Sequence, residues 1–296
     1  MKPIHKIALV SPSVMLSERD LRAEIWLEYL REKLGLEVVV MPTALTGLKL
    51  STFQAKEKAR DIMAAYEDES IDALLAVHGG ASALRVLEYL DFEVIKNHPK
   101  PIIGFSDTTS LQFGVYGRTG QAYVTGFFPE YEFRTEEGIR PMVEEDLRRI
   151  LSGQKFKAQS GESVHGGVAE GVLIGGNMSC ISDLSGTPYY PDLSDKILLL
   201  EDECEVSYKL KLMLTQLKYN PTFGRVRGIV FGRFSECCDH ITHGSMESVI
   251  EDFAAQVKLP MMKEFEYGHF KSRHVLTCGV KYRLDADKCV LEQIEG

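Results

Sequence analysis

Ser106 stands where a short apolar run gives way to a helical pattern, in the stretch Ile102-Ile103-Gly104-Phe105-Ser106-Asp107-Thr108-Thr109. A sharp strand-to-helix turn at that point exposes the hydroxyl, as in a nucleophile elbow. A helix N-terminus also favours negative charge developing beside it. The backbone N–H of Asp107 could donate to an oxyanion, and Gly79 or Gly80, closing another apolar run, could supply a second donor. The G-x-S-x-G pattern is incomplete, because Thr108 stands where its last glycine would be. The plain alternative is that Ser106 or Asp107 only caps the helix.

A serine hydroxyl needs a base within hydrogen-bond reach and a third group to orient that base. Eight histidines are candidates. His269 follows Tyr267-Gly268, where the glycine lets the chain turn and presents the imidazole at a strand end. Glu201 comes directly after Ile197-Leu198-Leu199-Leu200, so its carboxylate falls at the carboxyl end of an apolar strand. Its plain alternative is a capping or salt-bridging acid among Asp202, Glu203 and Glu205. Residues 237–243, Cys-Cys-Asp-His-Ile-Thr-His, bring together zinc-type ligands. Adjacent cysteines followed at once by His-x-x-His would struggle to close a tetrahedron, and the spacing matches none of the usual zinc patterns. Gly175-Gly176-Asn177 could cradle a phosphate, but a glycine pair without a fuller fingerprint reads better as a tight turn into a helix.

The elements that must hold these residues alternate in the first half. Apolar runs at residues 7–10, 38–40, 73–77, 102–103 and 122–125 read as strands. Helical patterns lie between them: one capped at Ser17 and carrying Leu21, Ile25, Leu27, Leu30 and Leu34, one capped at Ser51, one with Leu84, Leu87 and Leu90, and one through Leu111 and Val115. Repeated βα units of this length predict a doubly wound parallel sheet whose ligands sit beyond the carboxyl ends of its strands. Near residue 150 the pattern changes. Polar, glycine-containing sequence over 151–167 reads as a linker between a domain at 1–150 and a second at 168–296. The second half mixes strands at 171–174, 196–200, 228–231, 281–284 and 289–292 with a helix bearing Leu210, Met213, Leu214 and Leu217.

Composition sets outer bounds. With 296 residues, two domains or one large α/β domain are expected. A formal charge of −9 offers no global field for nucleic acid phosphates. No apolar run approaches a membrane span. Six cysteines, all in the second half and without framework spacing, fit a cytoplasmic protein with reduced thiols.

Several stretches in order resemble the LD-carboxypeptidase family of serine peptidases, which also contains the microcin C immunity peptidases. They are Ala8-Leu9-Val10-Ser11-Pro12-Ser13, Gly79-Gly80, the run from Pro99 to Thr109, Gly171-Val172-Leu173-Ile174-Gly175-Gly176-Asn177, Leu184-Ser185-Gly186-Thr187-Pro188, Leu200-Glu201-Asp202 and Gly268-His269. The resemblance implies a Ser106–Glu201–His269 triad, beside which the Gly80 and Asp107 N–H groups read from the strand ends would form the oxyanion hole. It implies a flavodoxin-like first domain, a barrel-like α/β second domain, a homodimer, and no metal or cofactor. The implied reaction removes a terminal D-amino acid from a murein tetrapeptide during cell-wall recycling, with no nucleic acid or membrane partner. The alternatives are hydrolysis of an acyl-sulfamate or phosphoramidate bond in an aminoacyl- or peptidyl-nucleotide, and a non-catalytic α/β binding protein. This chain departs from the LD-carboxypeptidase pattern at His78, where those enzymes tend to carry arginine, and at Thr125-Gly126-Phe127. Arg85, Arg118, Arg134 and Arg233 are open candidates for binding the substrate carboxylate.

Overall fold

Ile7, Ala8, Leu9 and Val10 are all buried, as a strand covered on both faces and both edges must be. In a computed structural model, which describes residues 2–13, 22–44, 54–242 and 244–295, this run is β1 (Lys6–Val10), paired on both sides. Its neighbours are β2 (Glu37–Val40) and β3 (Ala73–Ala76), followed outward by β4 (Ile102–Gly104) and β5 (Tyr123–Thr125). All five are parallel in the order β2-β1-β3-β4-β5, the flavodoxin-like order. The intervening helices are α1 (Ala23–Glu28), which runs on as a π-helical turn over Tyr29–Lys33, α2 (Ala55–Glu67), α3 (Phe92–Asn97) and α4 (Thr108–Thr119). The caps expected at Ser17 and Ser51, and Leu21, lie outside the described residues. The helix expected around Leu84, Leu87 and Leu90 is a 3-10 helix, Ala83–Tyr89, and Asp91 then caps α3 by accepting from the N–H groups of Glu93 and Val94.

Two helices, α5 (Pro129–Glu132) and α6 (Pro141–Leu151), lead to the second sheet. The polar stretch read as a linker carries two strands of that sheet, β6 (Lys157–Gln159) and β7 (Glu162–His165). Then come β8 (Val168–Asn177), α7 (Met178–Asp183), β9 (Lys196–Glu203), α8 (Ser207–Lys218), β10 (Gly228–Ser235), α9 (Met246–Gln256), β11 (Met261–Lys263), β12 (Leu276–Cys278), β13 (Lys281–Asp285) and β14 (Val290–Gln293). The sheet order is β6-β14-β13-β8-β9-β10-β11-β7. Its two end strands, β6 and β7, are joined only by Ser160 and Gly161. Eight strands laid flat would separate their ends by roughly 34 Å. Three residue steps reach at most about 11 Å. The sheet therefore curls on itself, which gives the barrel-like second unit its shape.

β12 does not join this sheet. It pairs antiparallel with β5, adding a sixth strand to the first sheet from the far end of the chain. One apolar cluster contains Leu111, Phe113 and Val115 of α4 together with Ile174 of β8 and Met178 and Ile181 of α7, so the two units share a core. A glycine with positive φ makes that contact close. A Cβ on Gly176 (φ +144°) would lie 2.6 Å from the Thr109 hydroxyl, and the Asn177 N–H donates to that same hydroxyl at 3.1 Å. No helix among the described residues is long and apolar enough to cross a membrane.

Candidate active site

Ser106 follows β4 and precedes α4 with φ +57°, a left-handed backbone that a serine adopts at a tight elbow. The capping alternative does not hold at Asp107, whose side chain makes no cap hydrogen bond to α4. Its carboxylate instead accepts from the Ser13 hydroxyl and from the backbone N–H groups of Ser82 (2.7 Å) and Ala83 (2.9 Å). Those bonds tie the loop after β1 and the loop after β3 to the elbow. A Cβ on Gly79 would sit 3.1 Å from Ser106 Cβ and 3.2 Å from its Oγ, so the Gly79-Gly80 segment packs directly on the serine.

Glu201 lies near the carboxyl end of β9, paired in register with Asn177 of β8, and is fully buried. Opposite it, β10 bulges between Phe231 and Phe234. The bulge admits the segment before His269: Arg233 N–H donates to the Tyr267 carbonyl at 2.8 Å, and Gly268, at φ +136°, leaves room for the Glu201 carboxylate. His269 sits on the connection from β11 to β12, where the chain crosses from the second sheet back to the first. Its Nδ1 is 2.7 Å from Glu201 Oε2, with both side chains buried. A carboxylate can only accept, so Nδ1 carries the hydrogen and Nε2 is left as the acceptor.

Phe105, immediately before the nucleophile candidate, packs on the imidazole with centroids 4.3 Å apart. Ser106 and His269 are thus linked through Phe105, which precedes one in the chain and packs on the ring of the other. They are not hydrogen-bonded: Nε2 is buried and without a hydrogen-bond partner among the described residues, with Glu203 Oε2 3.7 Å away. Serine–histidine contacts commonly tighten only when substrate binds. Burial lowers the imidazole pKa, but the charge and hydrogen bond of Glu201, with help from Glu203, outweigh it, and the pKa ends above the ordinary value. The arrangement can take a proton from an alcohol and hold the resulting imidazolium.

Several supporting residues escaped the sequence reading. Asn177, seen there only as a turn, caps α7 and donates to Asp202 (2.8 Å) and Glu201 (3.4 Å). Burial, then the neighbouring Glu201 charge, pushes the Asp202 carboxyl up to about 6. Arg273 is fully buried. It pairs with the buried Glu132, donates to the Phe270 carbonyl (3.0 Å), and lies over the rings of Phe105 (4.8 Å) and Tyr131 (4.6 Å). Of the open arginines, Arg134 is engaged with Glu130, Arg233 packs on Phe270, and Arg118 packs on Phe92. The Cys180 thiol lies 3.8 Å from the Ser106 carbonyl oxygen, but burial raises its pKa well above the ordinary value, so it is no rival nucleophile. At the dense cysteine–histidine stretch, Glu205 N–H donates to Cys237 Sγ (3.4 Å) and the His240 ring meets Tyr208 (5.4 Å). His243 is outside the described residues. Among the described residues no group of three or more His, Cys, Asp or Glu is arranged to hold a metal. All six cysteines are free thiols.

Residues 7–126 match the LD-carboxypeptidase N-terminal domain family, and residues 170–284 match the LD-carboxypeptidase C-terminal domain family. The chain is similar to the Bacillus subtilis protein YocD, named as a carboxypeptidase, at 29% identity over 97% of this chain and 95% of that protein. It is similar to the murein tetrapeptide carboxypeptidase of Pseudomonas aeruginosa at 26% identity over 72% of each. Its fold matches the microcin C7 self-immunity protein MccF, solved with aspartyl sulfamoyl adenosine, with a TM-score of 0.87 at 21% identity over 100% of this chain and 97% of that one.

Proposed function

The chain belongs to the LD-carboxypeptidase family of serine peptidases, and from that premise we infer that Ser106, His269 and Glu201 are its triad, acting on murein tetrapeptides. Ser106 Oγ attacks the carbonyl of the L-residue while His269 Nε2 takes the hydroxyl proton. The backbone N–H groups of Gly80 and Asp107 donate hydrogen bonds to the negative charge that develops on the carbonyl oxygen. The imidazolium, held by Glu201, then protonates the leaving nitrogen of D-alanine. Water, activated by the same imidazole, releases the acyl group from Ser106.

The observation that carries this reading is the buried Glu201–His269 contact at 2.7 Å beside the strained Ser106 elbow. Burying a carboxylate and a ring together, with one nitrogen unpartnered, is costly, and such perturbed buried groups concentrate at functional sites. The likeness to MccF supports a nucleotide-conjugate substrate as the second reading. A nucleobase needs an aromatic surface to stack on. The one tryptophan, Trp26, cannot provide it, being fully buried in α1. The test is D-alanine release from a murein tetrapeptide, run beside cleavage of an aminoacyl sulfamoyl adenosine, for wild type and Ser106→Ala. Release by wild type alone supports the reading. Equal release by both proteins discards the nucleophile, and preferential cleavage of the sulfamate favours the second reading.

A further inference from the structure

We propose that His78 is a positioning residue for the oxyanion donor: its Nδ1–H holds the Gly79–Gly80 peptide in the orientation that serves Ser106. The proposal rests on the assignment of Gly80 made above.

Gly79 and Gly80 follow β3 directly, and Gly80 has φ +142°. Two glycines in a row have little intrinsic preference for one peptide orientation, so something else must set it. His78 Nδ1 is 2.9 Å from the Gly79 carbonyl oxygen. A carbonyl oxygen only accepts, so Nδ1 is the donor. The peptide is planar and trans, so the Gly79 C=O and the Gly80 N–H point in opposite directions. Fixing the carbonyl toward His78 therefore fixes the Gly80 N–H away from it, while the same dipeptide lies against the Ser106 side chain. A flipped peptide would turn an acceptor into the place where a donor is needed.

The imidazole is itself held from two further sides. Its ring stacks on Phe128 at 5.7 Å and 21°. Its Nε2 is 3.3 Å from Glu130 Oε2. Glu130 is gripped by Arg134 through Nε (3.2 Å) and Nη2 (3.1 Å), and its own N–H reaches the Val77 carbonyl at 3.4 Å. Phe128 also meets Phe105, the ring that packs on His269. The peptide beside the nucleophile and the base thus share one aromatic wall.

Three variants separate the roles of the ring. His78→Phe keeps a ring against Phe128 and removes both ring nitrogens. His78→Asn places an amide donor near the Nδ1 position. His78→Gln places one near Nε2 instead. The readouts are the rate at which a fluorophosphonate labels Ser106, and kcat and KM for D-alanine release. In labelling, Ser106 Oγ displaces fluoride from phosphorus, its proton passing to His269, and the phosphoryl oxygen takes the oxyanion position. The Phe and Gln variants should label about 10- to 100-fold more slowly than wild type and lose kcat by the same factor, with KM little changed. The Asn variant should recover to within about threefold of wild type. If Phe fails to fold, as judged by its melting curve, the Gln–Asn pair decides. Wild-type labelling in the Phe or Gln variant, or equal impairment of Gln and Asn, overturns the role of His78 and leaves the triad standing. A wild type that labels no faster than Ser106→Ala overturns the site itself, and this inference with it.

Discussion

Replacing Glu201 by glutamine removes a charge and keeps the shape of the side chain. In the native protein Glu201 Oε2 lies 2.7 Å from His269 Nδ1 in a fully buried setting. An ion pair with centres roughly 4 Å apart, at the effective dielectric of a protein near 20, is worth about 4 kcal/mol. If the imidazolium forms only as Ser106 is attacked, that energy corresponds to about a thousandfold in rate. The amide can also donate toward Nδ1, which favours the wrong tautomer, so the expected loss in kcat is about 10³- to 10⁴-fold. The pH profile gives an independent readout. Burial lowers the pKa of His269, whereas Glu201 and to a lesser extent Glu203 raise it, and Arg273 lowers it slightly. The net position is above the ordinary imidazole value of about 6.5. A general base works when neutral, so activity rises with pH through that pKa. Removing the Glu201 charge leaves burial as the largest influence, and the acid limb of kcat/KM should move to lower pH. Steady-state kinetics from pH 5 to 9 would show both effects. A loss smaller than tenfold, or an acid limb that stays or moves up, would refute the reasoning.

The same contact predicts a stability effect: its contribution is fully present below the unfolded imidazole pKa of about 6.5 and fades as pH rises through the higher folded pKa, so the wild-type advantage over His269→Ala in urea midpoint should shrink from pH 6 to pH 9. Arg273→Met leaves the buried Glu132 carboxylate without its partner and should cost about 3–5 kcal/mol in urea unfolding; an unchanged midpoint would show the pair to be idle. Gly79→Ala puts a methyl 3.2 Å from Ser106 Oγ, so kcat should fall about tenfold with little change in melting temperature, and undiminished turnover would argue that the serine is not pressed by this segment. Gly176→Ala forces a Cβ within 2.6 Å of the Thr109 hydroxyl at φ +144°, and both stability and activity should drop; a variant with native melting and native kcat would contradict the close packing of α4 on β8.

The five parallel strands of the first sheet were legible because each is a continuous apolar run, largely buried in β1, β3, β4 and β5, and their order of appearance with intervening helices already implied a parallel sheet. The positions of Ser106 and Glu201 at strand ends were legible for the same reason, each following such a run. β6 and β7 were not, because short, largely exposed edge strands such as Lys157–Gln159 carry no apolar signature. β12 has only three residues, and its place is set by pairing with β5, about 150 positions away in the chain. Asn177 and Arg273 were invisible for a different reason. A polar side chain has the same letter whether it meets water or a buried carboxylate, and only the folded chain brings Glu132 to Arg273 and Glu201 to Asn177. The role of Asp107 was half legible: its place at the elbow was clear, but its carboxylate binds two loops rather than its own helix.

The most direct measurement is a double-mutant cycle on kcat with Ser106→Ala, His269→Ala and the pair combined, using D-alanine release from a murein tetrapeptide. Side chains that act as one unit lose nearly everything with the first substitution. Each single variant should therefore fall by several powers of ten, and the double variant no further. Two losses that multiply, or a Ser106→Ala enzyme that still turns over at the wild-type rate, would contradict the account.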